Sequence, residues 1–364
     1  MLFNWQQKDW PNFRYDASNV GKTVAMFSVQ LERTKAVLSA FDVSTEEGKR
    51  LEAMVAEAVS TSAIEGEKLN PQDVMSSMKN RLGKNQKPIA VRDYRATGVA
   101  NMMLKIRDEF AQPLSEAMLH SWHRILFEGY PAREAPDVVG KYRDDAIVVR
   151  SARVDDDAIR FEAPSAKTVP REMKRFVQWF NHAECQKMDV AVRAALVHLY
   201  FESVHPYCDG NGRLGRALVS KAVAQSGGAF VMIPFSVGLQ EHRRLYYDAL
   251  EKASKTLDAT EWINDFVTLL TQSIQRYENE LRFQIRVLCL LNRAREAMNG
   301  RQAKVFERMV REGAKGFAGG MSAAKYQAIA HTSKATATRD LTSMVKIGIL
   351  KKHGEGAGVR YTIA

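Results

Sequence analysis

Apolar residues recur at steps of three and four along most of this chain, and this spacing restricts it to a mainly helical fold. Between Thr45 and Lys68, the apolar residues with this spacing are Leu51, Met54, Val55 and Ala58. An α-helix returns to the same face after 3.6 residues, so this pattern predicts an amphipathic helix. Similar patterns predict further helices over 91–109, 115–128, 169–184, 189–204 and 261–298, the last as either one helix or two.

Two β-prone runs interrupt the helical pattern. They are AIVVR at 146–150 and AIRFEA at 158–163, separated by SARVDDD. Short runs rich in β-branched and aromatic residues are typical of strands. The sequence therefore predicts a small β-hairpin on a helical body.

The composition is that of a globular protein. A chain of 364 residues suggests two or three domains, at roughly 100–200 residues per domain. With 45% hydrophobic and 26% charged residues, a disordered or fibrous protein is excluded. Cys185, Cys208 and Cys289 are too few and too widely spaced for a disulfide framework or a cysteine zinc site, which favours a reducing compartment. No secretory signal or membrane-spanning run is recognisable, so we expect a cytoplasmic location and no membrane partner.

The net charge of +11 is concentrated in the C-terminal tail. Residues 301–364 contain 12 Lys and Arg against 4 Asp and Glu, which is +8 and leaves +3 for the first 300 residues. Helical patterns over 302–312, 322–330 and 333–347 precede ILKKHGEGAGVRYTI, which predicts two strands around a glycine-rich turn. This order is typical of a winged helix-turn-helix and predicts DNA binding, with protein docking left open. The candidate basic residues are Lys334, Arg339, Lys346, Lys351 and Lys352.

The stretch FESVHPYCDGNGRLGRAL, at 201–218, contains the residues best suited to chemistry. Pro206 ends one helix beside His205, and the helical spacing resumes a few residues later, so a loop lies at the N-terminus of a second helix. Such an N-terminus offers amides and a positive dipole end to phosphate oxygens. The residues whose amides can form this nest are Gly210, Asn211 and Gly212.

Charged side chains flank the same loop. Arg213 and Arg216 share one helix side and can hold a polyphosphate. Asp209 offers the oxygen ligand that Mg²⁺ prefers, and His205 suits a general base near neutral pH. The Walker and kinase signatures are absent from the sequence. Together these residues favour a reaction on a nucleotide polyphosphate over an ordinary turn with a solvated helix face.

The segment HPYCDGNGRLGR, from His205 to Arg216, resembles the Fic (Fido) motif HxFx[DE]GNGRxxR. It departs from the motif at Tyr207, where the family has Phe. AALVHLYFESVHP, GKYR at 140–143 and the N-terminal segment are also similar to Fic proteins. The resemblance implies a helical core that transfers AMP from ATP to a protein hydroxyl with Mg²⁺. It also implies that the hairpin is a flap, which aligns an extended target segment.

The resemblance assigns a role to each matching residue. His205 would take the proton from the attacking Ser, Thr or Tyr hydroxyl, and Asp209 would hold the metal. The phosphates would be bound by Gly210, Asn211, Gly212, Arg213 and Arg216. Tyr246 and Tyr247 are candidates for an adenine pocket, although neighbouring aromatics on a helix usually fill a core.

Glu65 is a candidate inhibitory residue at the end of the first helical pattern. At about 100° per residue it lies near the apolar stripe, where a carboxylate needs a basic partner. It could also extend into water from a frayed helix end. TSAIEG at 61–66 matches the family's inhibitory motif [ST]xxxE[GN], which implies that Glu65 pairs with Arg216 and obstructs the γ-phosphate. His198 is predicted to be a hydrogen-bonded core histidine rather than a metal ligand.

The sequence thus predicts a mainly α fold with a Fic-type helical core, a β-hairpin flap and a C-terminal winged helix-turn-helix. The expected domains are an N-terminal helical region (1–95), a catalytic core (96–272), a linking helix (273–300) and the winged helix (301–364). The expected activity is that of an auto-inhibited protein adenylyltransferase. A nucleotide-sensing DNA-binding regulator and an enzyme that removes AMP from a target remain alternatives. The target is not named by the sequence and can be the chain itself, and a homodimer stays open.

Overall fold

The computed structural model describes residues 2–150, 159–227, 230, 232–294 and 297–364. In these residues the chain forms fifteen α-helices and two separate two-stranded antiparallel hairpins. The mainly helical fold predicted from the sequence is confirmed. The chain divides into two compact units, Met1–Gln275 and Arg276–Ala364, which are described in turn.

The elements of the first unit are mostly helices of two to six turns. In chain order they are α1 (Ala17–Leu38), α2 (Val43–Ile64), α3 (Pro71–Arg81), α4 (Tyr94–Glu109), α5 (Glu116–Leu126), β1 (Val148–Arg150), β2 (Ile159–Glu162), α6 (Val169–Asn181), α7 (Ala183–Lys187), α8 (Val190–Val204), α9 (Asn211–Ser226), α10 (Phe235–Glu241) and α11 (Arg243–Ala253).

One long helix contains the boundary between the two units. This helix, α12 (Thr260–Ala294), is continuous. Of the two alternatives predicted from the sequence for this region, one helix or two, the structure shows one helix over this range. The second unit then contains α13 (Gly300–Val310), α14 (Ala323–Ala330), α15 (Lys334–Lys346), β3 (Leu350–His353) and β4 (Arg360–Ile363).

The helix pattern predicted over 169–184 is instead divided between α6 and α7. His182 has an extended backbone, with φ −66° and ψ 143°, and therefore ends α6. Its imidazole accepts the Glu184 N–H and caps α7. The prediction missed this break because histidine is not one of the usual cap residues.

Helices α8 and α9 form the centre of the first unit. Helix α8 is buried on almost every side because it is apolar all round. Gly215 of α9 allows the two helices to approach closely, since a Cβ there would lie 2.6 Å from Glu202 Oε1 and 3.0 Å from the His198 ring. This packing fixes the start of α9 relative to the end of α8.

Helix α2 is fixed by a buried carboxylate. Glu57 is 1% exposed and accepts hydrogen bonds from the Ser236 N–H (2.8 Å) and hydroxyl (2.5 Å) at the start of α10. Burial raises the pKa of Glu57 above its ordinary value, and these two hydrogen bonds oppose that rise. The contact holds the C-terminal end of α2 in the core, where Ile64 is fully buried.

The first hairpin lies at the predicted position. Strands β1 and β2 pair antiparallel, with Val149 opposite Phe161, and residues 151–158 between them are outside the described residues. Trp5 Nε1 donates to the Glu162 carbonyl at 2.7 Å, so the N-terminal segment supports β2. Phe161 in turn lies 6.1 Å from the His205 ring, centroid to centroid.

The second unit has its own core under three helices and a hairpin. Strands β3 and β4 pair antiparallel, and a single bridge joins Met321 to Tyr361. Asp340 of α15 is buried and accepts hydrogen bonds from the Tyr326 hydroxyl (2.9 Å) and Arg301 Nε (3.1 Å). Of the helices in the described ranges, none has both the length and the apolar character needed to cross a bilayer.

Candidate active site

The loop between α8 and α9 is closed by its own side chains. His205 ends α8 in the left-handed region, with φ 50° and ψ 61°. The Asn211 side chain accepts the Tyr207 N–H (2.9 Å) and donates to the Tyr207 carbonyl (2.7 Å). Gly210, with φ +80°, then allows α9 to begin. The loop therefore brings His205 to the N-terminus of α9.

The N-terminus of α9 offers backbone donors to an anion. The first intrahelical bond runs from the Leu214 N–H to the Gly210 carbonyl at 3.0 Å, so the preceding helical amides have no intrahelical acceptor. Among the described residues, no side chain caps this helix. The Gly210 amide, by contrast, donates to Asp209 Oδ1, and the Asn211 side chain is used within the loop. The backbone donors left at this end of α9 are therefore the amides of residues 211–213.

His205 is oriented by a buried carboxylate. Its Nδ1 lies 3.6 Å from Glu202 Oε2, and the Glu202 side chain is 8% exposed. Burial raises the pKa of Glu202, but the His205 imidazole and the charge of Arg216 oppose burial, and the pKa lies below its ordinary value. Glu202 is thus an anion, which leaves Nε2 of His205 for the proton to be transferred. The sequence reasoning missed Glu202, although its spacing of three from His205 on α8 was a signal.

Arg143 joins the loop to the base of the hairpin. Its guanidinium donates to the carbonyls of His205 (2.8 Å), Asp145 (2.7 Å) and Pro164 (2.5 Å). Its N–H also donates to the Pro206 carbonyl at 3.0 Å. Burial lowers the pKa of Arg143 from its ordinary value. Arg143 belongs to the GKYR segment that resembles Fic proteins, but nothing in the sequence predicted its role.

The two arginines of α9 are buried and paired with residues at the end of α2. Arg216 Nη2 lies 2.6 Å from Glu65 Oε1, and its Nε donates to Thr61 Oγ1 at 2.7 Å. Arg213 Nη1 lies 3.0 Å from Glu67 Oε2. The structure brings Glu65 and Arg216 together as the resemblance implied, whereas Glu67 was not predicted.

Glu65 lies directly over the start of α9. A Cβ on Gly212 would lie 2.3 Å from Glu65 Oε1, so only glycine accommodates the carboxylate at this distance. The carboxylate therefore occupies space beside the free amides. The Glu65 side chain is 27% exposed, whereas that of its partner Arg216 is 2% exposed.

Asp209 has the donor chemistry for a metal shared with a ligand. Its side chain is 59% exposed, and both carboxylate oxygens lie 3.4 Å from Arg213 Nη2. One exposed carboxylate fits Mg²⁺, which proteins often hold through one or two carboxylates plus phosphate oxygens. In the described part of the chain no cluster of three or more metal-ligating side chains occurs.

A cleft of about 840 Å³ opens beside His205. It lies between the hairpin and α11, and its lining includes Phe161, Glu202, His205 and Tyr247. Its volume is in the range of pockets that bind small molecules, and a nucleotide is of that size. Tyr247 is the only one of the two candidate tyrosines found in this lining.

Tyr246 lies in the core, which is the usual place for neighbouring aromatics on a helix, and not in the lining of this cleft. It is 1% exposed, and its hydroxyl lies 2.7 Å from His198 Nε2. Adjacent residues on a helix point about 100° apart, and here Tyr247 faces the cleft while Tyr246 points into the core. Burial lowers the pKa of His198 to about 4, and the prediction of a hydrogen-bonded core histidine is confirmed.

His123 also supports the loop between α8 and α9. Its Nδ1 accepts the Gly140 N–H at 2.8 Å, so Nε2 is the nitrogen that donates to the Asp209 carbonyl at 3.1 Å. Burial lowers the pKa of His123 to about 4, which keeps the ring neutral at physiological pH. This residue, too, was not identified from the sequence.

Two family models match the chain. Residues 113–222 match the Fic/DOC family, and residues 3–84 match a domain of unknown function, DUF4172. The chain therefore carries a Fic/DOC domain that contains the whole loop from His205 to Arg216. The resemblance stated from that motif is confirmed for this domain.

Named relatives and a solved structure agree with this assignment. The chain is 33% identical over 118 residues to the protein adenylyltransferase fic-1 of Caenorhabditis elegans, covering 32% of this chain and 22% of that protein. It is 26% identical over 160 residues to a probable protein adenylyltransferase of Aquifex aeolicus, covering 44% and 43%. The chain thus spans less than half the length of these relatives. A Fic family protein from Desulfovibrio desulfuricans shares the fold, with a TM-score of 0.53 at 17% identity over 93% of this chain and 96% of that chain.

Proposed function

We propose that this chain is an auto-inhibited protein adenylyltransferase. It transfers AMP from ATP to a Ser, Thr or Tyr hydroxyl of a target protein and releases pyrophosphate. The proposal is carried by the juxtaposition of His205, 3.6 Å from Glu202, with the two buried arginines of α9 and with its N-terminus, which no side chain caps among the described residues. The adenylyltransferase names of the relatives support it.

In the reaction, the hydroxyl oxygen of the target attacks the α-phosphorus while His205 Nε2 takes the hydroxyl proton. The bond from the α-phosphorus to the bridging oxygen breaks, and pyrophosphate leaves with that bond's electron pair. Glu202 stabilises the imidazolium that forms, because its carboxylate is buried beside Nδ1. The free amides of α9, Arg213 and Arg216 stabilise the charge on the phosphate oxygens.

Asp209 would hold Mg²⁺ together with the phosphates. Its exposed carboxylate lies at the start of α9, beside the amides that receive those phosphates. Bound Mg²⁺ would neutralise negative charge on the phosphate oxygens.

The restraint on activity comes from Glu65. Its carboxylate is paired with Arg216 and lies against Gly212, so it takes a position that an incoming phosphate group needs. Two anions cannot share this position without strong repulsion. Displacing Glu65 would therefore increase both nucleotide binding in the productive pose and transfer.

Incubation with labelled ATP and Mg²⁺ tests the proposal. We expect labelled protein with the unchanged chain, stronger labelling after Glu65→Gly and none after His205→Ala. Glu52→Gly, at a 55% exposed position of α2, controls for the loss of a carboxylate from the segment that leads to Glu65. Mass spectrometry of the labelled protein identifies the donor and the modified residue type. If Glu65→Gly and Glu52→Gly label equally, Glu65 is not inhibitory, and if no variant transfers AMP, the enzymatic proposal fails.

We propose in addition that the second unit binds duplex DNA through α15. The exposed face of this helix carries Lys334, Thr338, Arg339, Thr342 and Lys346. Its single acidic residue, Asp340, is buried and neutralised, so the face is wholly basic or neutral. Lys351 and Lys352 extend the positive surface on β3.

This arrangement suits a groove with phosphates on either side, because the basic residues can contact phosphates while the small Thr residues allow a close approach. The three helices and the hairpin occur in the order of a winged helix-turn-helix.

A salt titration with duplex DNA and the full chain tests the DNA proposal. We expect affinity to fall linearly on logarithmic axes as salt rises. Arg339→Ala should weaken binding, whereas Arg311→Ala should not, because Arg311 is already paired with Glu307 on α13. Absence of binding at low salt excludes the proposal and favours a protein-docking tail. DNA binding without labelled product in the ATP assay would select the nucleotide-sensing regulator.

A further inference from the structure

Two carboxylates flank the glycine that ends α2. Helix α2 stops at Ile64, and Gly66 takes φ +89°, which reverses the chain. The Glu67 N–H then donates to the Ser62 carbonyl at 3.0 Å. This closure is typical of helix C-termini with glycine in the left-handed region. It places Glu65 and Glu67 on the side of α2 that meets α9.

Each carboxylate meets a different arginine of α9. Glu65 contacts Arg216, and Glu67 contacts Arg213 at 3.0 Å between Oε2 and Nη1. The second oxygen of Glu67, Oε1, accepts the Tyr130 hydroxyl at 3.0 Å. Both oxygens of Glu67 are therefore held, and its side chain is only 20% exposed.

Arg213 has little freedom to find another partner. Its side chain is 2% exposed, and its guanidinium lies 5.0 Å from the centroid of the Phe127 ring. Asp209 contacts it more weakly than Glu67, at 3.4 Å. An anion that reaches Arg213 must therefore compete with Glu67, since two negative groups on one buried guanidinium repel each other.

We propose that Glu67 is a second gate on the phosphate site, separate from Glu65. The inference rests on the proposed function and concerns the affinity of its nucleotide site. Glu67 weakens binding of the distal phosphates at Arg213, as Glu65 does at Arg216, and Tyr130 holds Glu67 in the closed position. Displacing Glu65 alone then leaves Glu67 in place at Arg213. Glu67 is thus a residue that sets discrimination between ATP and AMP.

Calorimetric titration of the full chain with ATP and with AMP, both with Mg²⁺, tests this role. Glu67→Gln keeps the shape and removes the charge, and we expect it to tighten ATP binding about fivefold, or about 1 kcal/mol. AMP affinity should stay within about twofold of the wild-type value. AMP lacks the distal phosphates, so a change of charge at Arg213 should not affect its binding. Glu65→Gln with Glu67→Gln should tighten ATP binding more than either change alone. Tyr130→Phe, which removes the hydroxyl that donates to Glu67 and leaves the Glu67 charge in place, should fall between the wild type and Glu67→Gln.

The outcomes separate this inference from the proposed function. If Glu65→Gln tightens ATP binding and Glu67→Gln leaves it unchanged or weakens it, Glu67 merely positions Arg213 and the inference is wrong, while the adenylyltransferase proposal stands. Equal tightening for ATP and AMP also overturns the inference, because the effect would not act on the distal phosphates. If neither the wild type nor any variant binds ATP, both fail together. If Glu67→Gln does not fold, Tyr130→Phe alone tests the inference. A rise in ATP affinity relative to AMP affinity supports it, and an unchanged ratio of the two affinities overturns it.

Discussion

Replacing Arg143 with methionine should destabilise the first unit and reduce transfer. Methionine keeps an unbranched apolar stem of similar reach, but it removes the three guanidinium hydrogen bonds to the carbonyls of His205, Asp145 and Pro164. Those carbonyls belong to the loop between α8 and α9 and to the two ends of the hairpin segment. The substitution therefore releases the loop from the hairpin.

The expected loss of stability follows from the groups left without partners. Hydrogen bonds to a charged group contribute roughly 1.5–3 kcal/mol each, and a buried unsatisfied acceptor costs about 1–3 kcal/mol. Removing a buried guanidinium that has no carboxylate partner among the described residues recovers part of this, since burial already lowers the pKa of Arg143. We therefore expect a net loss of about 3 kcal/mol, which corresponds to roughly 6–12 °C in the melting temperature of a domain of this size.

Scanning calorimetry of the full chain measures this loss, and the labelled-ATP assay measures the loss of transfer. Arg133→Met is the matched control, because the Arg133 side chain is 84% exposed and contacts only the neighbouring Glu134 among the described residues. The reasoning is refuted if Arg143→Met and Arg133→Met melt within about 2 °C of each other, which is less than the shift for 1 kcal/mol. Stability loss with unchanged transfer would show that Arg143 supports the fold without aligning His205.

Two further predictions concern glycine packing and pH. Gly238→Ala should cost about 1–3 kcal/mol in urea unfolding, because its Cβ would lie 2.1 Å from Ser273 Oγ. Gly48→Ala, on α2 with open space around it, should instead stabilise by about 0.5–1 kcal/mol, and the opposite order would contradict the packing. The pKa of His123 is about 4, below its ordinary 6.5, so the unfolded chain binds more protons between these values and stability falls as the pH drops from 6.5 to 4. Protonation of Nδ1 removes the acceptor of the Gly140 N–H. His123→Gln should reduce this loss of stability between pH 6.5 and pH 4 by up to about 3 kcal/mol. An unchanged loss would disprove the assignment.

Local patterns in the sequence were enough for most of the helices, for the hairpin and for the loop of the site, although no range was predicted for α1, α3, α10 or α11. Helix periodicity, the proline after His205 and the GNG segment act over a few residues, so their effect is encoded where they stand. The spacing of Arg213 and Arg216 also follows from one helix turn. For the same reason the break at His182 was missed, since an unusual cap residue leaves no regular signal.

Contacts between distant segments were decided only by the tertiary structure. Glu65 and Arg216 are 151 positions apart, and Glu67 and Arg213 are 146 apart. The helical angle of Glu65 showed that it needed a partner, but which basic group it meets depends on how α2 packs on α9. Likewise, only the packing of α11 separates buried Tyr246 from Tyr247 in the cleft. Periodicity gives the face on which a side chain lies, whereas the groups opposite that face are determined by the packing of whole helices, which no local pattern encodes.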